Sequence, residues 1–152
     1  MKIKFVVPTR HTALEFQKQS LTGRFLTNTN ILIPIEVRLF PENKVGLSSR
    51  YNTVIEESID DPAILVFAHD DIMITDDLWS LRILSSLDEF DMVGVIGNQR
   101  RLPNQPSWYF VNNQFQTDDR KYFSGSIRHG NDFLSSTLMS YGNIRQKVKL
   151  LD

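Results

Sequence analysis

The chain of 152 residues contains no cysteine, which excludes disulfide bonds, zinc–thiolate sites and thiol nucleophiles. It has no apolar run near the roughly 20 residues of a membrane span, and its start is too interrupted for a secretory signal. The sequence also lacks an excess of charge of one sign, because it has 17 Lys and Arg and 18 Asp and Glu. Binding along a nucleic-acid backbone requires a basic surface. We therefore expect a cytoplasmic protein with no membrane span and no nucleic-acid partner.

The motifs of several enzyme classes are missing too. The sequence has no Gly-rich Walker loop, no Gly-x-Ser-x-Gly elbow and no standard zinc spacing among its three His. It does have 41% hydrophobic residues, with ten Phe, four Tyr and two Trp, which is enough for a core without disulfides. We predict one domain over residues 1–152.

Apolar and polar segments alternate in a way that predicts strands and helices in turn. Strands are predicted at residues 2–7, 35–40, 63–68 and 91–98, and helices at 12–25, 50–59 and 75–87. This order predicts an α/β fold with a mostly parallel sheet flanked by helices. Residues 99–129 are rich in polar residues, Pro and aromatics, so the C-terminal third is predicted to be rich in β-hairpins.

The most informative stretch is the third strand, an apolar run that ends in His69, Asp70 and Asp71. The carboxyl end of a strand in an open α/β sheet is where such folds bind ligands. Alternation along the strand places His69 and Asp71 on one face and Asp70 on the other. Two adjacent carboxylates roughly 6 Å apart repel each other by about 3 kcal/mol at an effective dielectric near 20. A divalent cation or a pair of ligand hydroxyls would offset this repulsion. The alternative is a solvated turn whose carboxylates cap the next helix.

Three segments in this order resemble family 2-type glycosyltransferases of the GT-A fold. They are Pro8-Thr9-Arg10 after the first strand, Gly46-Leu47-Ser48 with Tyr51-Asn52 at the second helix, and His69-Asp70-Asp71 after the third strand. The chain is most similar to the streptomycin-biosynthesis-type glycosyltransferase-like group, in which His-x-Asp replaces the usual Asp-x-Asp. The resemblance covers most of the chain and implies a GT-A-like, Rossmann-related fold.

The resemblance also implies roles for single residues in binding the nucleotide. The loop after the first strand would line the pocket of the base with Pro8, Thr9 and Arg10. Asn52 would close the other side of this pocket, and Asp70 would hold the ribose. Arg10 is also a candidate for contact with phosphate.

A divalent cation, Mn²⁺ or Mg²⁺, is implied as the cofactor that bridges the diphosphate of the donor. Asp71 would bind it together with His69, which stands where the family has its first carboxylate. Carboxylate oxygens suit a hard cation that also keeps phosphate oxygens in its shell, and imidazole is an acceptable manganese ligand.

The family continues beyond the segment that matches residues 148–152 into an acceptor half, which carries an acidic general base. We therefore expect this chain to be a donor-binding half, in which no catalytic base is identifiable apart from the candidate Asp152. Asp152 matches a family acid near this junction.

Three functions remain open from the sequence. The first is a glycosyltransferase, or its donor-binding half, which moves a sugar from a nucleoside diphosphate to an unidentified hydroxyl acceptor. The alternative is a catalytically inactive nucleotide-binding or assembly module that works as a homo-oligomer or with a partner chain. A nucleotidyltransferase is the third, although the loop at residues 8–10 lacks the Gly and the several cations that it needs.

Residues outside these motifs have two interpretations each. The pairs Arg100-Arg101 and Arg128-His129 are candidate diphosphate clamps or surface charge. The run Trp108-Tyr109-Phe110 is a candidate for stacking on a sugar, and the alternative is that it forms part of the core.

Overall fold

The computed structural model describes residues 2–28, 32–130, 135–142 and 145–152. The protein is mixed α/β and divides into two compact units, residues 1–84 and 85–152. The first unit has a three-stranded parallel sheet and the second a separate four-stranded antiparallel sheet. The predicted α/β class is confirmed at this level, and one domain over the whole chain stays a prediction. None of the helices in these residues has the length and apolar character needed to cross a membrane.

The first unit alternates strands and helices as predicted. Its elements are β1 (Ile3–Pro8), α1 (Ala13–Gln19), α2 (Leu21–Asn28), β2 (Ile35–Phe40), α3 (Leu47–Asp60), β3 (Ile64–Phe67) and the start of α4 (Trp79–Leu87). The sheet order is β2-β1-β3, with both outer strands parallel to β1. The connection from β2 to β3 therefore crosses over the central strand, and all three strands end at the same edge of the sheet.

An aromatic cluster of the core of this unit lies on one face of the sheet. Phe5 and Trp79 pack edge to face with ring centroids 5.8 Å apart, and Phe25 contacts the same indole at 6.3 Å. The alternate residues of the strands point to the opposite face, where Phe67 packs against Tyr51 of α3 at 4.5 Å. Both faces of β1 are thus covered, and every residue of this strand is buried.

The prediction of a single helix at residues 12–25 is wrong, because the helix is interrupted at Ser20. Its predicted start is confirmed: Thr12 and Glu15 form a reciprocal capping box before α1. Ser20 has extended backbone, and its hydroxyl accepts a hydrogen bond from the amide of Gly23 at 2.8 Å while donating to the carbonyl of Phe16 at 2.9 Å. Ser20 therefore ends α1 and caps α2.

The second unit contains β4 (Ile96–Asn98), a 3₁₀ turn (Arg120–Tyr122), β5 (Phe123–His129), β6 (Thr137–Tyr141) and β7 (Leu150–Leu151). The prediction that residues 91–98 add a strand to the parallel sheet is wrong, since β4 spans three residues and pairs antiparallel with β5 and β7. A parallel connection needs a crossover, usually a helix. Between β4 and β5 the structure has only the 3₁₀ turn and the isolated antiparallel bridge of Phe110 with Thr117.

A buried polar network organises the loop between β4 and β5. The carboxylate of Asp118 accepts hydrogen bonds from the Asn98 amide group at 2.8 Å and from the guanidinium of Arg100. Asn98 is fully buried, and Asp118 is 5% exposed. The hydrogen bonds from Arg100 outweigh burial and lower the pKa of Asp118 to about 2. The predicted interpretation of Arg100 as a diphosphate clamp therefore competes with an ion pair that holds the fold.

Trp108 and Tyr109 of the aromatic run at residues 108–110 belong to the core of the second unit. Trp108 and Tyr109 pack against Phe123 with ring centroids 5.2 and 5.5 Å away, and Tyr141 closes the cluster. Of its two interpretations, the core is the one that these contacts support.

Replacing Gly23 by alanine tests the corner between α1 and α2. A Cβ at this position would lie 2.0 Å from the carbonyl oxygen of Phe16, which is backbone and cannot move aside. We expect Gly23→Ala to lower the free energy of unfolding by about 3 kcal/mol in urea denaturation. Gly46→Ala is the matched control, because that glycine has φ −60° and open space around it. Its change is expected to stay within about 1 kcal/mol, and equal losses in both variants would contradict the close approach.

The Asp118 network predicts a pH dependence of stability. A folded pKa lowered from 3.8 to about 2 contributes about 2 kcal/mol, present above pH 4 and lost as the pH falls through 2. We expect Asp118→Asn to lower stability at pH 7 and to flatten the decline between pH 4 and pH 2, measured by urea denaturation at several pH values. The exposed Asp88→Asn serves as the control. A decline in Asp118→Asn as steep as in the wild type would exclude this contribution.

Candidate functional site

A cavity of about 740 Å³ lies in the first unit where the three parallel strands end. Its lining comes from residues 8–11 after β1, residues 43–47 after β2 and residues 69–71 after β3. Because β2 and β3 lie on opposite sides of β1, the chain reverses its winding direction here, and open α/β sheets bind ligands at such switch points. Three segments that are far apart in sequence thus share one cavity.

Thr9 connects the three segments. Its amide donates to the carbonyl of Phe40 at 3.0 Å, and its carbonyl accepts from the amide of Asn43 at 2.8 Å, which ties the end of β1 to the end of β2. Its hydroxyl donates to Asp70 Oδ2 at 2.5 Å and accepts from the amide of His11 at 3.2 Å. Thr9 is 3% exposed, so these bonds are shielded from water.

The segment after β2 is shaped by the side chain of Asn43. Its amide group donates to the carbonyl of Val45 at 2.7 Å, and its oxygen accepts from Arg50 Nε at 2.9 Å. The guanidinium of Arg50 also lies over the ring of Phe40 at 5.1 Å. The loop is therefore fastened to α3, and it carries Lys44 into the cavity lining.

The segment after β3 is a turn and not a continuation of the strand. β3 ends at Phe67, and Asp70 and Asp71 form the turn. The predicted placement of His69 and Asp71 on one strand face, with Asp70 on the other, is therefore wrong, because alternation applies only within a strand. All three residues instead line one cavity.

The charged groups of the cavity are largely unengaged. In the described part of the chain, the side chains of Arg10, Lys44, His69 and Asp71 make no hydrogen bond or ion pair, whereas Asp70 is held by Thr9. These four side chains are exposed, so their charges cost little in water. The cavity can therefore offer cations to an anionic ligand and carboxylates to a cation or to hydroxyl groups.

The structure brings together most of the residues predicted from the sequence. Pro8, Thr9, Arg10, His69, Asp70 and Asp71 all line the cavity. Asn52 does not, because α3 reaches the cavity with Leu47 and Asn52 lies more than one turn further along, exposed to solvent.

The candidate base Asp152 belongs to the second unit. Its carboxylate accepts a hydrogen bond from Trp108 Nε1 at 2.9 Å, and its amide donates to the carbonyl of Ile96 at 2.8 Å. These two hydrogen bonds hold Asp152 against β4 and Trp108. A catalytic role for Asp152 stays a prediction.

Sequence reasoning missed His11, Asn43 and Lys44 of the lining, and Thr22 behind it. The first three follow strand ends, as Arg10 and Asp71 do, so the rule that singled out those two residues could have found them. Thr22 has no such signal, because it lies inside a helix.

The predicted metal site at His69 and Asp71 would have two protein side chains as ligands. Among the residues that the structure describes, no group of three or more His, Cys, Asp or Glu can hold a metal ion. His69 and Asp71 provide two side chains of the lining, which fits a hard cation that keeps waters and phosphate oxygens as its other ligands. They do not fit a closed cage built by protein ligands alone.

No protein-family model, curated protein or solved structure matches this chain.

The hydrogen bond from Thr9 to Asp70 can be tested by removing the hydroxyl. Thr9→Val leaves Asp70 Oδ2 and the amide of His11 without this partner, so we expect a loss of about 1–3 kcal/mol in the free energy of unfolding. Thr53→Val is the control, because among the described residues that hydroxyl bonds only to the carbonyl of Ser49 in its own helix. Its change should stay within about 0.5 kcal/mol in chemical denaturation. Equal effects of both substitutions would argue against a special role of Thr9.

Proposed function

We propose that the cavity binds the nucleoside-diphosphate moiety of a sugar donor and that the chain is the donor-binding part of a GT-A-like glycosyltransferase. The observation that carries this proposal is the meeting of Arg10, Lys44, Asp70 and Asp71 in one cavity at the switch point of a parallel sheet. The volume of about 740 Å³ lies in the range of pockets that hold molecules of this size.

Each part of such a donor has a matching group in the lining. Arg10 and Lys44 are cations without a protein partner among the described residues, and they would bind the phosphate oxygens. Asp70 keeps its Oδ1 available to accept from a ribose hydroxyl, since Thr9 bonds to its Oδ2.

His69 and Asp71 would hold Mn²⁺ or Mg²⁺. Such a cation, when bound, supplies charge stabilisation for the departing nucleoside diphosphate. The residues of the chain itself bind and orient the donor, and the backbone bonds of Thr9 keep the segments after β1 and β2 together. The proton of an acceptor hydroxyl needs a base, and Asp152 is the candidate that the sequence offers for this role.

The proposal is tested by adding UDP, GDP, dTDP or CDP, each with and without Mn²⁺, and measuring binding as a change in the Tm of thermal unfolding. A ligand at about 100 times its Kd adds about 2.7 kcal/mol, which raises Tm by a few degrees. We expect one diphosphate to stabilise the wild type, Asp71→Ala to lose the part that depends on Mn²⁺, and Lys44→Ala to bind more weakly with or without Mn²⁺.

Asp60→Ala on α3 and Lys18→Ala on α1, two exposed positions outside the cavity, are the matched controls and should respond like the wild type. Absence of a shift with every diphosphate would overturn the proposal. If a diphosphate binds, release of sugar from the corresponding donor is measured next. Binding without release or transfer would favour the inactive nucleotide-binding module over the transferase.

A further inference from the structure

One side chain outside the cavity holds the backbone of the acidic turn. Thr22 is the second residue of α2 and is fully buried. Its hydroxyl lies 2.7 Å from the carbonyl oxygen of His69 and 2.9 Å from that of Ile72, so its single proton can be donated to either carbonyl. The same hydroxyl accepts from the amide of Ile72 at 3.2 Å. The amide of Thr22 donates to the carbonyl of Asp70 at 3.3 Å.

The corner between α1 and α2 makes this amide available. The first amides of a helix have no partner within the helix. In α2 the amide of Gly23 is taken by the Ser20 hydroxyl and that of Arg24 by the Ser20 carbonyl. The amide of Thr22 is left to bond outside the helix, and its partner is the turn that carries the carboxylates.

The turn has few other restraints. For the residues in the described ranges, every hydrogen bond of residues 69–72 goes to Thr22 or to Thr9. Thr9 bonds to the side chain of Asp70, whereas all the backbone bonds go to Thr22. Just before the turn, the Ala68 amide donates to the carbonyl of Val6 in β1, at 3.0 Å.

We propose that Thr22 is a positioning residue, whose buried hydroxyl and amide fix the turn so that His69, Asp70 and Asp71 are preorganised for the ligand. This inference rests on the proposed function. A turn that had to be ordered on binding would cost conformational entropy, and the fixed turn has already lost that freedom on folding. Thr22 touches no ligand and acts only through the backbone of the turn.

Removing the hydroxyl while keeping the shape of the side chain separates this role from packing. Thr22→Val leaves the carbonyls of His69 and Ile72 and the amide of Ile72 without their partner. We expect the affinity for the stabilising nucleoside diphosphate with Mn²⁺, measured by titration calorimetry, to fall about tenfold or more. Thr22→Ser retains the hydroxyl and should bind within about threefold of the wild type.

Thr27→Val is the matched control on the same helix, because within the part of the chain that the structure describes the Thr27 hydroxyl bonds only to the carbonyl of Gly23, at 2.8 Å. It should leave the affinity unchanged. Amide hydrogen exchange gives a readout that does not depend on a ligand, and its measurement in the wild type does not depend on the folding of a variant. In the wild type the amide of Ile72 should be protected, and in Thr22→Val its exchange should accelerate while that of β1 amides stays slow.

The outcomes separate the inference from the proposed function. Wild-type binding together with unchanged binding in Thr22→Val, or rapid exchange of the Ile72 amide in the wild type, would overturn the role of Thr22 and leave the proposed function intact. Failure of the wild type to bind any of the four diphosphates would overturn the proposed function, and the positioning role would fall with it.

Discussion

The first unit depends on β1, a strand that is buried along its whole length and hydrogen-bonded to a parallel partner on each side. Because both partners run in the same direction as β1, the chain returns twice to the edge where β1 ends. At that edge Thr9 extends the pairing by one residue towards β2, and its hydroxyl bonds to Asp70 in the turn after β3. The convergence of three distant loops is therefore a consequence of strand direction, and a single buried residue keeps them in register.

Exposed charges alone would say little about function, since Arg10, Lys44 and Asp71 are in contact with water and their mutual energies are small at high dielectric. These charges become informative because hydrogen bonds hold the backbone of the segments that carry Lys44 and Asp71. Asn43 closes the loop that carries Lys44, and Thr22 holds the turn that carries Asp71. Charges that stay unpaired on fixed backbone can bind a ligand without first being ordered, which is the property that a binding site requires.

The elements that the sequence predicts well are those whose signals are local. The alternation of residues 35–40 predicts β2 with its observed bounds, and the Thr12–Glu15 pair predicts the start of α1. The pairing of β4 was missed because an apolar run does not reveal which strand lies beside it. The same limit explains Asn52, which a motif places near the site although the helix reaches the cavity with an earlier residue. Positions at strand ends are predictable, whereas partners chosen over long separations are not.

Thr22 shows why part of a site stays hidden in a sequence. A threonine near the start of a helix looks like any polar residue, and its partners lie 47 to 50 residues further along the chain. It reaches them because Gly23, the next residue, has no side chain to meet the carbonyl of Phe16, so α2 can approach the end of α1 closely. The position of the acidic turn thus depends on three features of the helix corner. They are the missing Cβ of Gly23, the cap formed by Ser20 and the hydroxyl of Thr22.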